Sequence, residues 1–365
     1  MVNFKNVRAV KFTAMFDGEG CVNFDSVSQR FFLNSNGLGS DFTQNKNIAL
    51  AKKIFKNVVT PDGKNKTLFK YKVSSDCLRH AIYEDVMPFQ NPSISSVPTI
   101  LYNAIAMPCY ITRGYLFTQK SSNSLKKRGI TICDAYETGE WRDSISFDFH
   151  SRTGGKDTSV KEEDDSNDTT IYNIENIGIN TYSSEGYIDL TELQFISADP
   201  LYDRMAVDAD GGANEIIYLN ALKRNLPTFN GNFDYYYIKN TYCNDEWAER
   251  GILLDKESVD FLIKDVFKHI MNVNITRRNA YFRFKSLCIS VIMDDGVTEN
   301  TITITPDNIN DFTFEYSTKY FVADEAKIQA NKDLMDQAKE ISKQMKKDEK
   351  TAKEEAKKNK KNNKN

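Results

Sequence analysis

The stretch VKFTAMFDGEGCVNF, residues 10–24, decides the fold. Its apolar side chains at positions 10, 12, 14 and 16 alternate with the residues at 11, 13 and 15, which is the period of a strand with one buried face. Gly18 and Gly20 predict a turn after this strand, and the alternation resumes at Val22. The chain therefore opens with a predicted strand, a glycine turn and a second strand.

Helical periodicity marks three stretches further along the chain. The clearest follows Asp255, where apolar residues recur three and four positions apart from 259 to 270. Residues 74–76, SSD, offer N-caps for a helix with an apolar stripe at 78, 82 and 86. Pro98 begins another, with its apolar face at 100, 101, 104 and 105.

The remaining segments indicate strands and insertions. A polar region with turn signals at 34–39 and 61–63 contains a lysine-bearing helix candidate at 48–55. Residues 110–117 and 281–293 are rich in strand formers. Helices set among antiparallel-type strands, with long insertions between them, predict an α+β sandwich with protruding loops.

The composition is typical of a globular protein. The 365 residues are 40% hydrophobic and 12% aromatic, and no run approaches the roughly 18 apolar residues that a membrane-spanning helix needs. The N-terminal sequence lacks the apolar core and small-residue site of a secretory signal. We therefore expect a cytoplasmic protein without membrane contact.

The cysteines and histidines do not form a metal-binding pattern. The six cysteines are at least 24 residues apart, and none belongs to a CxxC pair. In a cytoplasmic chain they are expected to be reduced and buried as small apolar side chains. Cys77 and His80 could share a helical face, but two ligands do not make a metal site. We expect no metal and no cofactor.

The net charge of −3 is the sum of an acidic body and a basic tail. From Glu325 onward 13 lysines stand against 8 acids, so the tail carries +5 and residues 1–324 carry −8. The tail predicts a solvated helix that frays, with a nucleic-acid contact as the alternative. Residues 156–168, KDTSVKEEDDSND, predict an exposed acidic loop. An acidic body would confine affinity for nucleic acid to a local groove.

Catalytic motifs are missing from the sequence. It contains no GxSxG, no HExxH and no phosphate-binding GxxxxGK loop. The acidic pairs at 164–165 and 294–295 are expected to be solvated surface carboxylates. We therefore expect no catalytic residue.

The most specific basic feature is KSSNSLKKRG, residues 120–129, which closely follows Arg113. Its cations supply charge for a phosphate backbone, and its hydroxyls and amides supply neutral donors. The segment predicts a flexible loop that follows phosphates, with an ordinary solvated loop as the alternative. The side chains concerned are Ser124, Lys126, Lys127 and Arg128.

A second basic feature lies beside aromatic residues. Arg277 and Arg278 precede YFRF, residues 281–284, and cations mixed with aromatic faces suit single-stranded RNA. A strand with one buried face is the alternative that composition favours.

Several short segments resemble one protein family when they are taken in order. They are GEGCVNF (18–24), CLRH (77–80), RGY (113–115), KR (127–128) leading into ITICD (130–134), RDSISF (142–147), LQFIS (193–197) with DR (203–204), and GILLD (251–255). Over about residues 7–295 the chain resembles the backbone subunit of type I CRISPR interference complexes (Cascade), an RNA-binding protein of the RAMP superfamily. It is most similar to the version in the type I-F variant. The acidic segment 156–168 and the lysine tail depart from the pattern.

The resemblance implies an α+β fold with a modified RRM-like, or ferredoxin-like, palm over residues 1–324. About residues 26–73 would form a finger-like region. About residues 136–190 would form a thumb-like β-hairpin region that contains the acidic loop. Residues 325–365 would be a lysine-rich helical to disordered tail.

The resemblance also implies a function. Multiple copies would bind along one CRISPR RNA through its phosphates and sugars, kink it at intervals and leave guide segments exposed for pairing with target DNA. The partners would be CRISPR RNA, other copies of the chain, other Cascade subunits and, through the guide, target DNA. The subunit itself would not be an enzyme.

The residues that match the family's pattern become the expected RNA contacts. Arg113 and the 126–128 cations would hold phosphates, with Ser124 as a neutral donor. His80 capping or packing a helix is an alternative to RNA contact, and Phe147 would be a wedge near the thumb. Together with the second basic feature, the expected contacts are Arg79, His80, Arg113, Ser124, Lys126, Lys127, Arg128, Arg142, Phe147, Arg204, Arg277 and Arg278.

Two other classes of function remain open. In related type III complexes the backbone subunit cleaves target RNA with a loop aspartate, a role that Asp143 or Asp148 could fill. Divalent-metal-dependent cleavage of RNA paired to the guide would favour this enzyme. A self-assembling structural protein that does not need RNA is the other class, which filaments surviving nuclease treatment would favour.

Overall fold

A computed structural model describes most of the chain. The described residues are 2–19, 21–23, 27–34, 37–44, 51–59, 63–87, 98–118, 123–138, 145–153, 169–177, 179–200, 204–208, 212–238, 248–277, 280–296 and 301–322, with separate helical positions between 326 and 344. The strands are β1 (Val2–Glu19), β2 (Cys21–Asn23), β3 (Val27–Asn34), β4 (Gly37–Gln44), β5 (Ala51–Val59), β6 (Asn65–Val73), β7 (Tyr115–Thr118), β8 (Asn123–Lys126), β9 (Ile130–Ile132), β10 (Ala135–Glu137), β11 (Ile145–Thr153), β12 (Thr169–Ile177), β13 (Asn180–Asp189), β14 (Phe195–Ser197), β15 (Asp234–Ile238), β16 (Ala248–Leu253), β17 (Asn274–Arg277), β18 (Ala280–Met293), β19 (Ile302–Ile304), β20 (Phe312–Tyr316) and β21 (Phe321–Val322). The helices are α1 (Ser75–Tyr83), α2 (Pro98–Ile105), α3 (Pro108–Arg113), α4 (Leu190–Gln194), α5 (Ala213–Asn225) and α6 (Lys256–Met271), and a 3-10 turn spans Ile309–Asp311.

Strand β1 lies inside the largest sheet. It pairs antiparallel with β13 and with β18, and its first residues pair parallel with β20. Val10, Phe12, Ala14 and Phe16 are at most 1% exposed, which confirms the predicted alternation. The ring of Phe16 stacks on that of Phe282 in β18, with centroids 4.9 Å apart.

Helix α6 packs its apolar stripe against this sheet. Asp255 caps it, because its Oδ1 accepts a hydrogen bond from the Ser258 N–H at 2.7 Å. The apolar side chains at 259, 262, 263, 266, 267 and 270 are at most 1% exposed, and Phe267 meets Phe12 of β1 edge to face, with centroids 6.2 Å apart. The predicted helix is confirmed, and each such buried side chain contributes about 1.5–3 kcal/mol.

The two other predicted helices are present. Ser74 caps α1 by accepting a hydrogen bond from the Cys77 N–H at 3.3 Å, and Leu78 and Ile82 are buried. Helix α2 begins at Pro98 as predicted, but Ile100 is 44% exposed. Its buried residues are Leu101, Tyr102, Ala104 and Ile105, and α2 contacts α5 and α3.

Four strands lie side by side in the large sheet. They lie as β18, β1, β13 and β10, and every neighbouring pair is antiparallel. Helices α1 to α3 come between β1 and β10 in the chain, and α6 comes between β13 and β18. Strands β6 and β5 extend the sheet beyond β10, and β17 lies beyond β18. The fold is a mixed α+β structure dominated by antiparallel strands, as predicted.

Two segments have a different structure from the one predicted. Residues 51–55 of the helix candidate at 48–55 lie instead in β5, because cross-strand pairing with β6 runs from Ala51 to Val59, while residues 48–50 lie outside the described residues. The predicted strand at 110–117 begins as helix α3, because Pro108 occupies its first turn and fixes a helical φ there.

The predicted glycine turn after β1 is also wrong at Gly18. The strand continues to Glu19, with Gly18 paired to Asn180 of β13 on one side and to Phe282 of β18 on the other. Pairing on both sides keeps this glycine extended. Gly20 lies outside the described residues.

Three smaller sheets hold the other described strands of the body. Strands β11 and β12 pair from Ile145 with Ile177 to Thr153 with Thr169, in a sheet that also holds β2, β3 and β4. The acidic segment 156–168 lies between these strands and outside the described residues. Strands β14, β16, β15 and β21 form another sheet, and β7 pairs with β8 alone.

Cys77, Cys109, Cys133 and Cys288 are free, but their burial varies. Cys109 is buried, and burial raises the pKa of its thiol to about 11. Cys133 is exposed, because it continues the alternation of β9 on the side that faces away from the core. The prediction that all cysteines are buried is therefore wrong at Cys133.

The described positions of the C-terminal tail are exposed to solvent. Ile341 is 62% exposed, and the other described positions between 326 and 344 are exposed as well. Within the described part of the chain, no helix is both long enough and apolar enough to span a membrane.

Candidate nucleic-acid interface

The predicted flexible loop is largely a β-hairpin. Strands β7 and β8 pair from Tyr115 with Lys126 to Thr118 with Asn123. The Leu125 N–H donates to the Met205 carbonyl at 2.6 Å, so the hairpin is fastened to a second segment. Ser124 and Lys126 are only 5% and 4% exposed, and the prediction of a flexible loop is wrong for residues 123–126.

The cations that follow the hairpin remain open to solvent. Lys127 and Arg128 are exposed, and the Gly129 N–H donates to the Thr112 carbonyl at 3.1 Å. The end of α3 and the segment 126–128 are therefore neighbours. The structure thus places the backbone at the end of α3 beside the backbone of residues 128–129.

Gly114 makes this close approach possible. It ends α3 with a φ of 75°, and its N–H donates to the Tyr110 carbonyl at 2.9 Å. Arg113, the last residue of α3, is half-buried and directs Nη1 to the Sδ atom of Met87 at 3.1 Å. A residue with a Cβ atom at 114 would collide with the backbone of the 126–128 segment.

Lys126 is a buried cation with a main-chain partner. Its Nζ atom donates to the carbonyl oxygen of Glu192 at 2.5 Å. Desolvation lowers the pKa of Lys126 from 10.5 to about 8, although Glu192 and Asp189 act in the opposite direction. Lys126 is thus buried, and its expected contact with a phosphate stays a prediction.

A small pocket of about 50 Å³, open to solvent, lies beside Lys126. Arg204 also lines it and forms two hydrogen bonds with Glu249, one of them from Nε to Oε1 at 3.1 Å. Glu249 is 1% exposed, so the charge of Arg204 is largely compensated within the protein. The remaining lining includes Lys127, Thr191, Glu192, Phe195, Ser197 and Phe321.

Arg79 and His80 lie on α1 and not on the hairpin. Arg79 is paired with Asp76, and the Nε2 atom of His80 is 3.7 Å from Oε1 of Glu84. The last residue of the same helix contacts α3, because the hydroxyl of Tyr83 donates to Oγ1 of Thr112 at 3.0 Å. This helix therefore supports the end of α3 that carries Arg113.

The other predicted contacts are only partly described. Arg142 and Arg278 lie outside the described residues. Phe147 is paired with Glu175 in the β11–β12 ladder, and Arg277 with Ala280 in the β17–β18 ladder. The aromatic strand beside Arg277 has Phe282 fully buried, which favours the alternative of a strand with one buried face.

Sequence reasoning missed the acidic partners of the site. Asp189 caps α4, and Glu192 lies in its first turn. An acid at each of these positions is typical of the start of a helix, so the sequence contained a signal for them. Glu249 has no comparable signal, because its partner Arg204 is 45 residues away. Among the described residues, no group of three potential metal ligands occurs.

The fold and this site define an α+β protein in which two exposed cations, Lys127 and Arg128, follow a hairpin whose backbone is fixed next to α3. Comparison with known families matches residues 7–327 to the family described as type I-Fv CRISPR-associated protein Cas7fv-like. The match covers most of the 365 residues, so the chain belongs to this family. The expected relation to the backbone subunit of type I CRISPR complexes is thereby confirmed. No curated protein matches the sequence.

Proposed function

We propose that this chain is the CRISPR RNA-binding backbone subunit of a type I-F variant complex, and that it is not an enzyme. Multiple copies bind along one guide RNA and kink it at intervals. The guide segments between the kinks then pair with target DNA. Other copies of the chain and other Cascade subunits are its protein partners, and the assembly acts in the cytoplasm.

The observation that carries this proposal is the position of Lys127 and Arg128. Both are exposed at the end of a hairpin that is hydrogen-bonded on two sides, and both lie close to Arg113. Cations on a fixed backbone can hold consecutive phosphates without reading the bases. Such contacts suit a protein that must accept guides of any sequence.

The sheet order supports an RRM-like palm. Strands β18, β1, β13 and β10, with α1 to α3 and α6 as the connecting helices, follow the β-α-β-β-α-β order of ferredoxin-like folds. We propose that about residues 26–73 form the finger-like region and that about residues 136–190 form the thumb-like region. Within the latter, β11 and β12 form the hairpin, while β13 belongs to the palm.

The remaining expected contacts have defined places in this proposal. Arg142 and Phe147 act at the thumb, where Phe147 is the wedge at a kink. Arg277 and Arg278 act beside β18, and Arg79 and His80 act from α1. Arg204 acts through the pocket, where its guanidinium is held by Glu249.

A paired substitution tests the role of the exposed cations. Lys127→Ala with Arg128→Ala should lower the slope of log affinity for CRISPR RNA against log salt by about 1.4, that is about 0.7 for each lost phosphate contact. Lys223→Ala with Arg224→Ala is the matched control, because this adjacent Lys-Arg pair is exposed on α5.

The control should keep the slope of the wild type, and neither variant should unfold, because surface cations contribute little to stability. If the first variant keeps both the affinity and the slope of the wild type, residues 127 and 128 are not RNA contacts.

A further inference from the structure

The paired strands β5 and β6 are strongly basic. Residues 51–73 contain seven lysines and one acid, so this stretch, which we call the basic ribbon, carries +6. Directly paired residues share a face of a sheet, and the faces alternate along each strand. The register therefore places five lysines on one face of the ribbon, at positions 52, 56, 66, 70 and 72. The opposite face holds Tyr71, which is buried in the core, and of the five lysines Lys72 is paired with Asp134.

Negative charge collects in the chain segment that follows β18. Residues 286–318 contain six acids and no lysine, arginine or histidine. Asp295, Asp307 and Asp311 of this segment are exposed, and we call these three residues the acidic end. Asp311 directly precedes β20, whose first residue pairs with Val2 of β1. The acidic end therefore lies beside the start of β1.

The basic ribbon joins the large sheet at the other end of β1. Met293, two residues before Asp295, pairs with Val7. The ribbon is attached where Lys72 pairs with Tyr136, and β13 connects Tyr136 to Met15. Eight residues of strand separate positions 7 and 15, which is about 26 Å. Since β6 is antiparallel to β10, the ribbon continues away from the acidic end. Opposite charges thus lie at opposite ends of the large sheet.

We propose that the basic ribbon of one copy binds the acidic end of the next, so that copies of the chain join head to tail. The proposal rests on the proposed function and deepens it, because it names the surfaces through which neighbouring copies touch. Residues 1–324 carry −8 and the ribbon within them carries +6, so the rest of these residues carry −14. Bodies with this charge repel each other, and contact between ribbon and acidic end replaces repulsion by attraction. Because the two surfaces differ, the contact can continue from copy to copy.

A second copy of the chain accounts for both charged surfaces, whereas a nucleic acid accounts for one. Phosphates could bind the ribbon, but the carboxylates of Asp307 and Asp311 would repel them. The acidic end calls for a cationic partner, and the ribbon calls for an anionic one. This chain carries both charges, at the distance from each other that a head-to-tail contact requires.

A charge swap tests the contact, with the full-length chain bound to a CRISPR RNA long enough for several copies. Lys66→Glu with Lys70→Glu reverses the ribbon, and Asp307→Lys with Asp311→Lys reverses the acidic end. Each reversed variant alone should lose cooperative binding, with the affinity of successive copies lowered about tenfold or more. An equimolar mixture of the two should regain it, because alternating copies then present opposite charges at every contact. The control, Lys223→Glu with Arg224→Glu on α5, should bind as the wild type does.

Native mass spectrometry counts the copies on each RNA, and far-UV circular dichroism checks folding. Lys52→Glu with Lys56→Glu, or Asp295→Lys with Asp307→Lys, replaces a variant that does not fold. Assembly of both reversed variants as in the wild type, or a mixture that stays defective, would overturn the head-to-tail contact and leave the proposed function standing. Weaker binding of a single copy to a short CRISPR RNA by the ribbon variant, without rescue in the mixture, would show that the ribbon holds nucleic acid instead. If the wild type binds no RNA, the proposed function is wrong, and the same swap, followed by sedimentation of RNA-free copies, decides the contact.

Discussion

A Cβ atom placed on Gly114 would lie 2.7 Å from the carbonyl oxygen of Lys126. It would also lie 2.8 Å from the backbone nitrogen of Arg128. Gly114 has a φ of 75°, a conformation that residues with a side chain rarely adopt. One glycine thus sets the distance between Arg113 and the two exposed cations of the proposed RNA contact.

Gly114→Ala should therefore destabilise the protein and weaken RNA binding together. With φ 75° and ψ 164°, Gly114 lies in a region that is essentially restricted to glycine, which costs other residues about 1–3 kcal/mol, and the collision with backbone adds about 1–3 kcal/mol. Displacement of residues 126–128 should reduce the affinity for RNA severalfold at temperatures where the variant is folded. Urea unfolding and RNA titration measure the two effects.

Gly296→Ala is the control for this substitution. Gly296 has a φ of 81°, but a Cβ atom there would meet nothing within 4 Å. Only the conformational cost of about 1–2 kcal/mol should appear, with unchanged RNA affinity. Equal losses in both variants would contradict the positioning role of Gly114.

The ion pair between Arg204 and Glu249 should stabilise the folded protein. Arg204→Met leaves the buried carboxylate of Glu249 without its guanidinium, which should lower the free energy of unfolding by about 3 kcal/mol. Adding Glu249→Gln removes the buried charge and should restore part of that loss. Thermal unfolding of the single and double variants gives the comparison. A double variant that is no more stable than Arg204→Met would contradict this pairing.

Lys126 should make stability depend on alkaline pH. Its pKa is about 8 in the folded protein and its ordinary value is 10.5, so between these values the unfolded chain binds more protons. Raising the pH through this window therefore favours the folded state. The free energy of unfolding of the wild type should rise relative to that of Lys126→Met. A constant difference from pH 7 to about 10 would show that the Lys126 ammonium is not desolvated.

The fold was predictable where one face of an element is buried. The alternation around Phe12 and the helical stripe after Asp255 both report direct contact with the core, and both were predicted correctly. The helix candidate at 48–55 failed at residues 51–55, where pairing with β6 outweighs local propensity. Gly18 failed in the same way, since β13 and β18 hold it extended.

The cations of the site could be identified from the sequence, but their burial and their partners could not. The run of cations at 126–128 and the nearby Arg113 stand out in the sequence. The burial of Lys126 depends on the pairing of β8 with β7 and on its contact with Glu192 of α4. Glu192 is 66 residues away from Lys126 in the chain. Long-range partners such as Glu249 leave no local signal.

The central claim is tested most directly by the RNA that copurifies with the full chain from cells that process a CRISPR array. Sequencing of that RNA should return CRISPR RNAs of defined length, in large assemblies whose masses form a ladder. Lys127→Ala with Arg128→Ala should recover less RNA than Lys223→Ala with Arg224→Ala. A monomer free of nucleic acid, isolated together with the other subunits of the complex from cells where the array is verifiably processed, would contradict the guide-binding function.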